Sequence, residues 1–473
     1  MPGRKGKGSP ARRRRSTVTG TARTSRKAEP GALTKAFVTK LDENFYADPM
    51  NRMRQNMLAE GDPAKMVLNQ QVAMSIDRTC SKVLDDWEPT DQKKSGRCWL
   101  FGATNLLRAG AMKKLKLKGF EFSQNYLMYW DKFEKANYFL EAIIETADRD
   151  IDDRTVRSIF HSCVSDGGQW NMFANIVRKY GLVPKAVMPE TNSSSGTSGM
   201  NRALTGRLRV GAKQLRDLAA GGTPLKKLRQ VKLEILADVH KVLRMHLGNP
   251  PTKFSWQWKD NKKKLHRETN ATPQAFAKKY VTIPLEEYVC LVHDPRKTSP
   301  TGRTFTVEYL GNVIDGRIVT YLNVEMGLMK KIALKTIMRG EPVWFGCDCS
   351  KQMHRDMAVW DKDLFDYETL YGFPMEITSK EDRLLYGATA MNHAMLFTGV
   401  DVKKGKPTKW RVENSWGKKG VDKGFYLMND SWFDEHLFEI AARKADLPVK
   451  LQRALKQAPI VLPAWDPMGS LAG

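Results

Sequence analysis

The spacing of apolar residues changes along the chain. In the first half, and in the later stretch LKKLRQVKLEILADVHKVLRMHL at residues 225–247, apolar side chains recur at helical intervals. From about residue 305 they form shorter runs, such as TFTVEYL, PVWFGCDC, HAMLFTGV and KWRVENSW. These runs are rich in Val, Thr, Phe and Trp and are bounded by Gly, Pro and Asp, which is typical of strands and turns. The change predicts an α+β fold.

Positive charge is concentrated in two stretches. The chain has 78 Lys and Arg against 52 Asp and Glu, a formal net charge of +26. Residues 1–27 hold ten Lys and Arg and no acid, and residues 200–245 hold eleven basic and three acidic residues. Residues 1–32 have almost no large apolar side chain, so we predict that they are disordered. Their charge fits a solvated tail, a nuclear-localisation or nucleic-acid patch, or an organelle transit peptide.

No apolar run approaches the roughly 18–20 residues that cross a bilayer, and the first residues have no apolar stretch of signal-peptide type. We therefore expect neither secretion nor membrane anchoring. The six cysteines are scattered and form no CxxC pair, which favours a reducing compartment such as the cytoplasm. Cys347 and Cys349 lie two apart with His354 nearby, but no second ligand pair accompanies them, so we predict neither metal nor cofactor.

Cys98 stands at the predicted start of a helix, in the stretch QKKSGRCWLFGAT. Apolar residues recur at helical spacing after it, and Ser95 and Gly96 interrupt the chain just before it. The free N–H groups of a helix N-terminus favour an anion, which a thiolate nucleophile needs. A packed core thiol is the alternative interpretation at this point.

Two later residues are suitable partners for a nucleophilic thiol. His393 opens the apolar run HAMLFTGV, and Asn414 follows the end of the run KWRVE. If the two runs pair as neighbouring strands, the imidazole and the amide come side by side. His393 would then take the proton of Cys98 and later protonate a leaving amine, while Asn414 holds the imidazole tautomer.

Gln92 and Trp416 complete the candidate site. Gln92 lies six residues before the cysteine and can offer an amide N–H to a developing oxyanion beside the backbone N–H of Cys98. Trp416 can shield the Asn414 to His393 hydrogen bond from water. The alternatives are a solvated loop glutamine and a core aromatic residue.

These residues carry a family resemblance. QKKSGRCW, NHAM and VENSWG, in that order, resemble the papain-like cysteine peptidases, although Arg97 replaces the small residue of the C-G-[SA]-C-[WY] signature. His393 follows Cys98 by 295 residues, against about 130–150 in papain-type enzymes, so about 150 residues are inserted. ENFYADPMNR, FEFSQNYLMYWDK, DGGQWNM, GNPPTKFSW and the terminal LPAWDPMGSLAG are similar to the bleomycin hydrolase and aminopeptidase C branch, from about residue 36 to the end.

The resemblance implies roles for particular residues. Cys98, His393 and Asn414 would be catalytic, and Gln92 would line the oxyanion hole. Gly167 and Gly168 resemble the glycine pair along which an extended substrate binds; a tight turn is their other interpretation. The family's C-terminal residues lie in the active-site cleft, which places Ala472 and Gly473 at the catalytic centre and implies aminopeptidase action.

The resemblance also implies a division of the chain and an assembly. The expected segments are a basic tail (1–32), a helical half of a papain-like core with the nucleophile (33–195), a helical insertion (196–300), a strand-rich half with the histidine and asparagine (301–460) and a C-terminal arm (461–473). The family forms a homohexameric barrel joined by helical hooks, which we expect within residues 200–280.

The predicted function is a cytosolic cysteine aminopeptidase that acts on short peptides and peptide-like amides through an acyl-enzyme. The alternative is a nucleic-acid-binding protein on a peptidase fold, with residues 1–32 and the basic face of residues 200–245 as its binding surface. The charge of residues 200–245 also fits an ordinary solvated helix face. No zinc finger, RNP motif or basic zipper accompanies it, so any such binding would be electrostatic.

Overall fold

The computed structural model describes residues 30–84, 87–418 and 420–472. Most of the basic tail and Gly473 lie outside the described residues, so the prediction of disorder for residues 1–32 and the placement of Gly473 stay predictions. By its internal contacts the chain divides into two units at Met66 and Val67.

The first unit is helical: α1 (Lys35–Ala47), α2 (Pro49–Glu60) and α3 (Pro63–Met66). Thr34 caps α1, and Asp48 caps α2 by accepting a hydrogen bond from the backbone N–H of Met50 at 2.9 Å. Neither α1 nor α2 has a buried residue. Their large apolar side chains are exposed, among them Phe37, Leu41, Phe45, Tyr46, Met50 and Met53.

The second unit contains the remaining helices: α4 (Gln70–Met74), α5 (Cys98–Leu115), α6 (Gln124–Glu145), α7 (Arg154–His161), α8 (Trp170–Tyr180), α9 (Asn192–Ser195), α10 (Ser198–Ala220), α11 (Leu225–Leu247), α12 (Pro273–Tyr280), α13 (Met326–Met338), α14 (Tyr367–Tyr371), α15 (Lys380–Leu385), α16 (Asp430–His436) and α17 (Val449–Ala454). Short 3-10 turns cover Leu285–Glu287, Val421–Gly424, Lys444–Asp446 and Pro467–Ala472. None of the helices in the described ranges is both long enough and apolar enough to cross a membrane.

The strands are β1 (Lys82–Val83), β2 (Phe254–Lys259), β3 (Leu265–Ala271), β4 (Tyr288–Val292), β5 (Thr304–Val307), β6 (Tyr321–Asn323), β7 (Val343–Cys347), β8 (Met353–His354), β9 (Val359–Trp360), β10 (His393–Lys403), β11 (Lys406–Glu413), β12 (Phe425–Asn429), β13 (Leu437–Arg443) and β14 (Ile460–Leu462). All but β2 and β3 form one sheet, in the order β14, β5, β6, β4, β13, β7, β10, β11, β12, β9, β8, with β1 on β10. The long strand β10 pairs antiparallel with β7 and β11.

Helix α5 is the central helix of the core. It is apolar on nearly every side, as expected of a helix surrounded by protein, and its residues from Cys98 to Arg108 are all buried. It packs on β10, and the indole N–H of Trp344 on β7 donates to the Trp99 carbonyl at 3.2 Å. The N-terminus of α5 is therefore fixed against the strands that carry His393 and Asn414.

The inserted region is helical only in part. Helices α10 and α11 pack on each other and on α6, and they bury the apolar face that their spacing predicts, including Leu208 and Ile235. Strands β2 and β3, however, form an antiparallel hairpin, so the prediction of a helical insertion over residues 196–300 is wrong for this part. In FSWQWK the aromatic residues alternate with polar ones, and Trp256 and Trp258 stack at 4.5 Å on one face.

We expect the melting temperature of the wild type to fall between pH 5 and pH 8, and we expect Glu439→Gln to reduce this fall. Glu439 is fully buried on β13, and burial raises its pKa to about 8, whereas an unfolded Glu titrates near 4.3. Between these values the folded chain keeps a proton that the unfolded chain has lost. Stability therefore falls as pH rises, by about 1.4 kcal/mol per pH unit from this group.

The measurement is thermal unfolding of wild type and Glu439→Gln from pH 4 to 9 at matched protein concentration. The two curves should converge below about pH 4, where both states are protonated. Parallel curves over the whole range would contradict the assignment of this pH dependence to Glu439.

Candidate active site

Cys98 is the first residue of α5, as predicted. Arg97 precedes the helix without a side-chain cap, so the first N–H groups of the helix face the site unpaired by a capping side chain. The thiol is 4 % exposed, and its Sγ lies 4.0 Å from the Gly96 carbonyl oxygen. The backbone N–H groups of Ala394 and Trp99 point at the sulfur.

His393 and Asn414 are brought together by the pairing of β10 with β11. Asn414 Oδ1 lies 2.9 Å from His393 Nε2 and also accepts the backbone N–H of Ser415 at 2.8 Å. Because this second bond identifies the atom as the amide oxygen, His393 Nε2 must carry the hydrogen. Nδ1 is then the basic nitrogen of the neutral ring.

Trp416 covers this hydrogen bond. Its ring stacks on the His393 imidazole with centroids 5.1 Å apart and planes at 29°. The Arg355 guanidinium lies 4.9 Å from the centroid of the Trp416 ring. The imidazole is 5 % exposed, so the His393 to Asn414 bond is screened from water.

Burial acts on the thiol and the imidazole in opposite directions. It raises the pKa of Cys98 to about 11, against the backbone N–H groups that favour the thiolate. It lowers the pKa of His393 to about 4, against the Asn414 hydrogen bond that favours the imidazolium. Both groups are therefore neutral between these values, with the proton on the sulfur and none on His393 Nδ1.

Gln92 is held beside the cysteine by both ends of its amide. Ser415 Oγ donates to Gln92 Oε1 at 2.6 Å, and Gln92 Nε2 donates to the Ser95 carbonyl at 2.5 Å. The backbone N–H of Gln92 donates to the Ser415 carbonyl at 2.8 Å. Since a primary amide has two N–H bonds, one remains for an oxyanion.

The two glycines differ in what they face. A Cβ on Gly167 would collide with the backbone carbonyl of Leu471, so the absence of a side chain lets the C-terminal residues approach the backbone here. A Cβ on Gly168 would lie 2.5 Å from the Trp99 ring. The structure therefore places Gly167 on the cleft and Gly168 against the start of α5.

The C-terminal residues lie in the cleft. The Tyr321 hydroxyl donates to the Met468 carbonyl at 3.1 Å, and Ser470 Oγ donates to the Met391 carbonyl at 2.7 Å. Ser165 Oγ donates to the carbonyl of Ala472. A cavity of about 580 Å³ remains between this segment and helices α6 and α7.

Two buried ion pairs at the site could not be predicted from the sequence. Arg97, which departs from the family signature, is fully buried and pairs with Glu190 through two bonds of 3.1 and 2.8 Å. Lys132 Nζ pairs with Asp166 at 2.6 Å. No spacing rule connects these partners, but a buried arginine next to the cysteine demands a carboxylate. Residues 30–84, 87–418 and 420–472 contain no group of three His, Cys, Asp or Glu that fits a metal ion.

A thiol at a helix N-terminus, with an imidazole and an amide from paired strands across a cleft, is the site of a papain-like cysteine peptidase. The family model described as the Peptidase C1-like family matches residues 32–469. Aminopeptidase C of Lactobacillus delbrueckii subsp. lactis is 42 % identical over 432 residues, which cover 91 % of this chain and 96 % of the relative. Bleomycin hydrolase of Gallus gallus is 39 % identical over 435 residues, 90 % of this chain and 96 % of the relative.

The crystal structure of PepW from Lactobacillus rhamnosis matches with a TM-score of 0.90 at 39 % identity, covering 93 % of this chain and 99 % of that one. The chain belongs to the Peptidase C1-like family, in the branch of aminopeptidase C and bleomycin hydrolase. The predicted α+β papain-like fold and the predicted enzyme class, a cysteine-type aminopeptidase, are confirmed.

Replacing Asn414 by Ala is expected to lower kcat about 10- to 100-fold, less than the roughly 10²- to 10⁴-fold contribution of a general base itself. The variant leaves His393 Nε2 without its acceptor, so both the tautomer and the ring orientation are lost. Asn414→Asp keeps an acceptor at the same place and should lose less. Steady-state kinetics of the two variants on one substrate measure the difference; equal losses would contradict this role for the Asn414 oxygen.

Proposed function

We propose that this cysteine aminopeptidase removes N-terminal residues from short, unfolded peptides and peptide-like amides, with Cys98, His393, Asn414 and Gln92 in the predicted roles. The observation that carries the proposal is the C-terminal segment, whose Leu471 carbonyl lies against Gly167 and whose Ala472 carbonyl accepts a hydrogen bond from Ser165. By the family resemblance, Gly167 and Gly168 border the part of the cleft that binds substrate residues before the scissile bond, and a segment lying there leaves room only for the first residues of a chain.

The proposed chemistry assigns one step to each of the four side chains. Cys98 transfers its proton to His393 Nδ1 as the sulfur attacks the substrate carbonyl carbon. The resulting oxyanion accepts the backbone N–H of Cys98 and the free N–H of Gln92. His393 then protonates the leaving amine, the C–N bond breaks, and a thioester remains on Cys98.

Hydrolysis of the thioester uses the same groups in reverse. His393 Nδ1 takes a proton from water, the hydroxide attacks the thioester carbonyl, and the carboxylic acid leaves as Cys98 recovers its proton. Asn414 keeps the imidazole oriented through both halves, since its oxygen accepts the Nε2 hydrogen at 2.9 Å.

The C-terminal arm sets the exopeptidase action in this proposal. Ala472 is held by Ser165, and Gly473 follows it outside the described residues. In this proposal the segment borders the place where the ammonium group of the substrate's first residue binds. Ala472 and Gly473 are therefore proposed as substrate-binding residues, together with the Gly167 and Gly168 backbone.

The test compares a fluorogenic amino-acid amide with its N-acetylated twin, using wild type and Cys98→Ala under reducing conditions. Wild type should cleave only the free amine, and Cys98→Ala should cleave neither, because it has no nucleophile. A third variant that ends at Gly469, and so keeps Asp466 and Met468 in the core, should gain activity on the acetylated substrate, since the blocked end of the cleft opens. Cleavage by Cys98→Ala, or equal cleavage of both substrates by wild type, would reject the proposal.

We also propose that the protein forms the expected homohexamer. The exposed apolar residues, however, favour a helical subunit contact in a different part of the chain from the one expected. Helices α1 and α2 bury no side chain, yet they carry Phe37, Leu41 and Phe45 in exposed positions. Isolated short helices are marginal in water, and an apolar surface of this kind usually meets a partner. Residues 35–60 are thus better candidates for subunit contacts than residues 200–280.

Sedimentation velocity should show wild type as a hexamer, whereas Phe37→Glu with Phe45→Glu should sediment as smaller species because charge replaces the apolar contact. Val449→Glu, which changes an exposed apolar residue of α17, is the matched control and should sediment like wild type. A monomeric wild type, or a double variant that still forms hexamers, would contradict the assignment.

The relatives support the peptidase prediction and not the nucleic-acid-binding alternative. Most basic side chains of α10 and α11 face away from their buried apolar residues, which fits the solvated-face interpretation. We retain the cytoplasm as the proposed location. It is supported by the six cysteines, all of which are free.

A further inference from the structure

Asp166 lies where three parts of the site meet. Its carboxylate accepts four hydrogen bonds: from Gly96 N at 2.9 Å, Thr197 Oγ1 at 2.5 Å, Asn201 Nδ2 at 2.8 Å and Lys132 Nζ at 2.6 Å. Its backbone carbonyl accepts the Trp99 indole N–H at 2.7 Å. The side chain is 11 % exposed. Each of its oxygens therefore has two partners, as a buried carboxylate requires.

The contact with Gly96 links this carboxylate to the nucleophile. The Gly96 N–H donates to Asp166, while the Gly96 carbonyl oxygen lies 4.0 Å from Cys98 Sγ. A Cβ on Gly96 would lie only 2.8 Å from the Asp166 Cβ, so the Gly96 backbone packs directly against the Asp166 side chain. A displacement of Asp166 would shift the peptide unit that adjoins the thiol.

The other partners are anchored in separate elements. Lys132 comes from α6, where its side chain is fully buried and also donates to the Val164 carbonyl at 2.5 Å. Thr197 and Asn201 belong to the start of α10, the first long helix of the insertion. Gly167, which directly follows Asp166 in the sequence, lines the cleft. The carboxylate thus connects the nucleophile loop, the cleft wall and two helices.

We infer that Asp166 is a positioning residue of the active site: by holding the Gly96 peptide, it fixes the Cys98 sulfur and the first N–H groups of α5 relative to the cleft wall at Gly167. The inference rests on the proposed function of Cys98 as the nucleophile. Under this inference α10, the first long helix of the insertion, also supports the active site, since Thr197 and Asn201 hold the loop before Cys98 from outside the core.

The charge of Asp166 opposes thiolate formation, because its negative charge raises the pKa of Cys98. Lys132 offsets part of this effect by pairing with the carboxylate at 2.6 Å. The two possible roles of Asp166 therefore predict opposite changes in kcat when the charge is removed. If Asp166 acted only through its charge, its removal would make the Cys98 thiolate easier to form and kcat would not fall. If Asp166 positions the Gly96 peptide, kcat falls although the thiolate forms more easily.

The test is Asp166→Asn, which keeps the shape of the side chain but loses the charge and one acceptor oxygen. We expect kcat on an amino-acid amide to fall about 10- to 100-fold, the size of effect expected when reacting groups are displaced by about 1 Å. KM should stay within about twofold, and the pH midpoint of Cys98 alkylation by iodoacetamide should move lower. Asp217→Asn, an exposed carboxylate on α10 that pairs only with Lys213 within the described residues, is the matched control and should behave as wild type.

A folded Asp166→Asn variant with wild-type kcat, or with a higher kcat, would overturn the inference. If this variant does not fold, Thr197→Val with Asn201→Ala takes its place, because it leaves the ion pair with Lys132 intact. A fivefold or larger loss of kcat in that double variant supports the inference, and an unchanged kcat overturns it. Wild type and Cys98→Ala are assayed in parallel, so an inactive wild type would instead overturn the proposed function itself.

Discussion

The packing of the α5 N-terminus against the first residues of β10 is the constraint on which the site depends. It places Cys98 Sγ at the Ala394 N–H, one residue from the histidine, and it is maintained by a core in which Trp99 and Trp344 are fully buried. A helix end supplies unpaired N–H groups, and a strand end supplies a rigidly placed imidazole.

Buried ion pairs hold the segments around this contact. Arg97 with Glu190, Lys132 with Asp166 and Arg108 with Glu413 are all largely or wholly removed from water. Such pairs add little net stability, because desolvation costs about as much as the attraction returns. What they provide is specificity of arrangement, since a shifted loop would leave a charge buried without its partner.

The sequence predicted the fold class and the proximity of His393 and Asn414, but not the polar contacts that support the site. Apolar spacing indicated α5, α10 and α11, and the strand-like runs around His393 and Asn414 predicted their proximity. The hairpin β2–β3 was not predicted, because the helical spacing of α10 and α11 was extended over the whole insertion. The alternation of aromatic and polar residues in FSWQWK has the period of a strand. The partners of Asp166 and Arg97 could not be predicted, because Glu190, Thr197 and Lys132 join them only through tertiary packing, which leaves no period in the sequence.

The C-terminal arm is a fixed part of the cleft rather than a loose end. Its base is held by Asp466, which pairs with the buried Arg296 through bonds of 3.0 and 2.8 Å, and Arg296 is paired on its other side with Asp294. Tyr321 and Ser165 then hold the arm along its length. Moving the arm out would expose apolar residues such as Met468 and Leu471 and would leave the buried Arg296 with Asp294 but without Asp466. The position of this segment is thus set by the same core that builds the site, and under the proposed function the preference for chain ends comes from that core and needs no separate recognition domain.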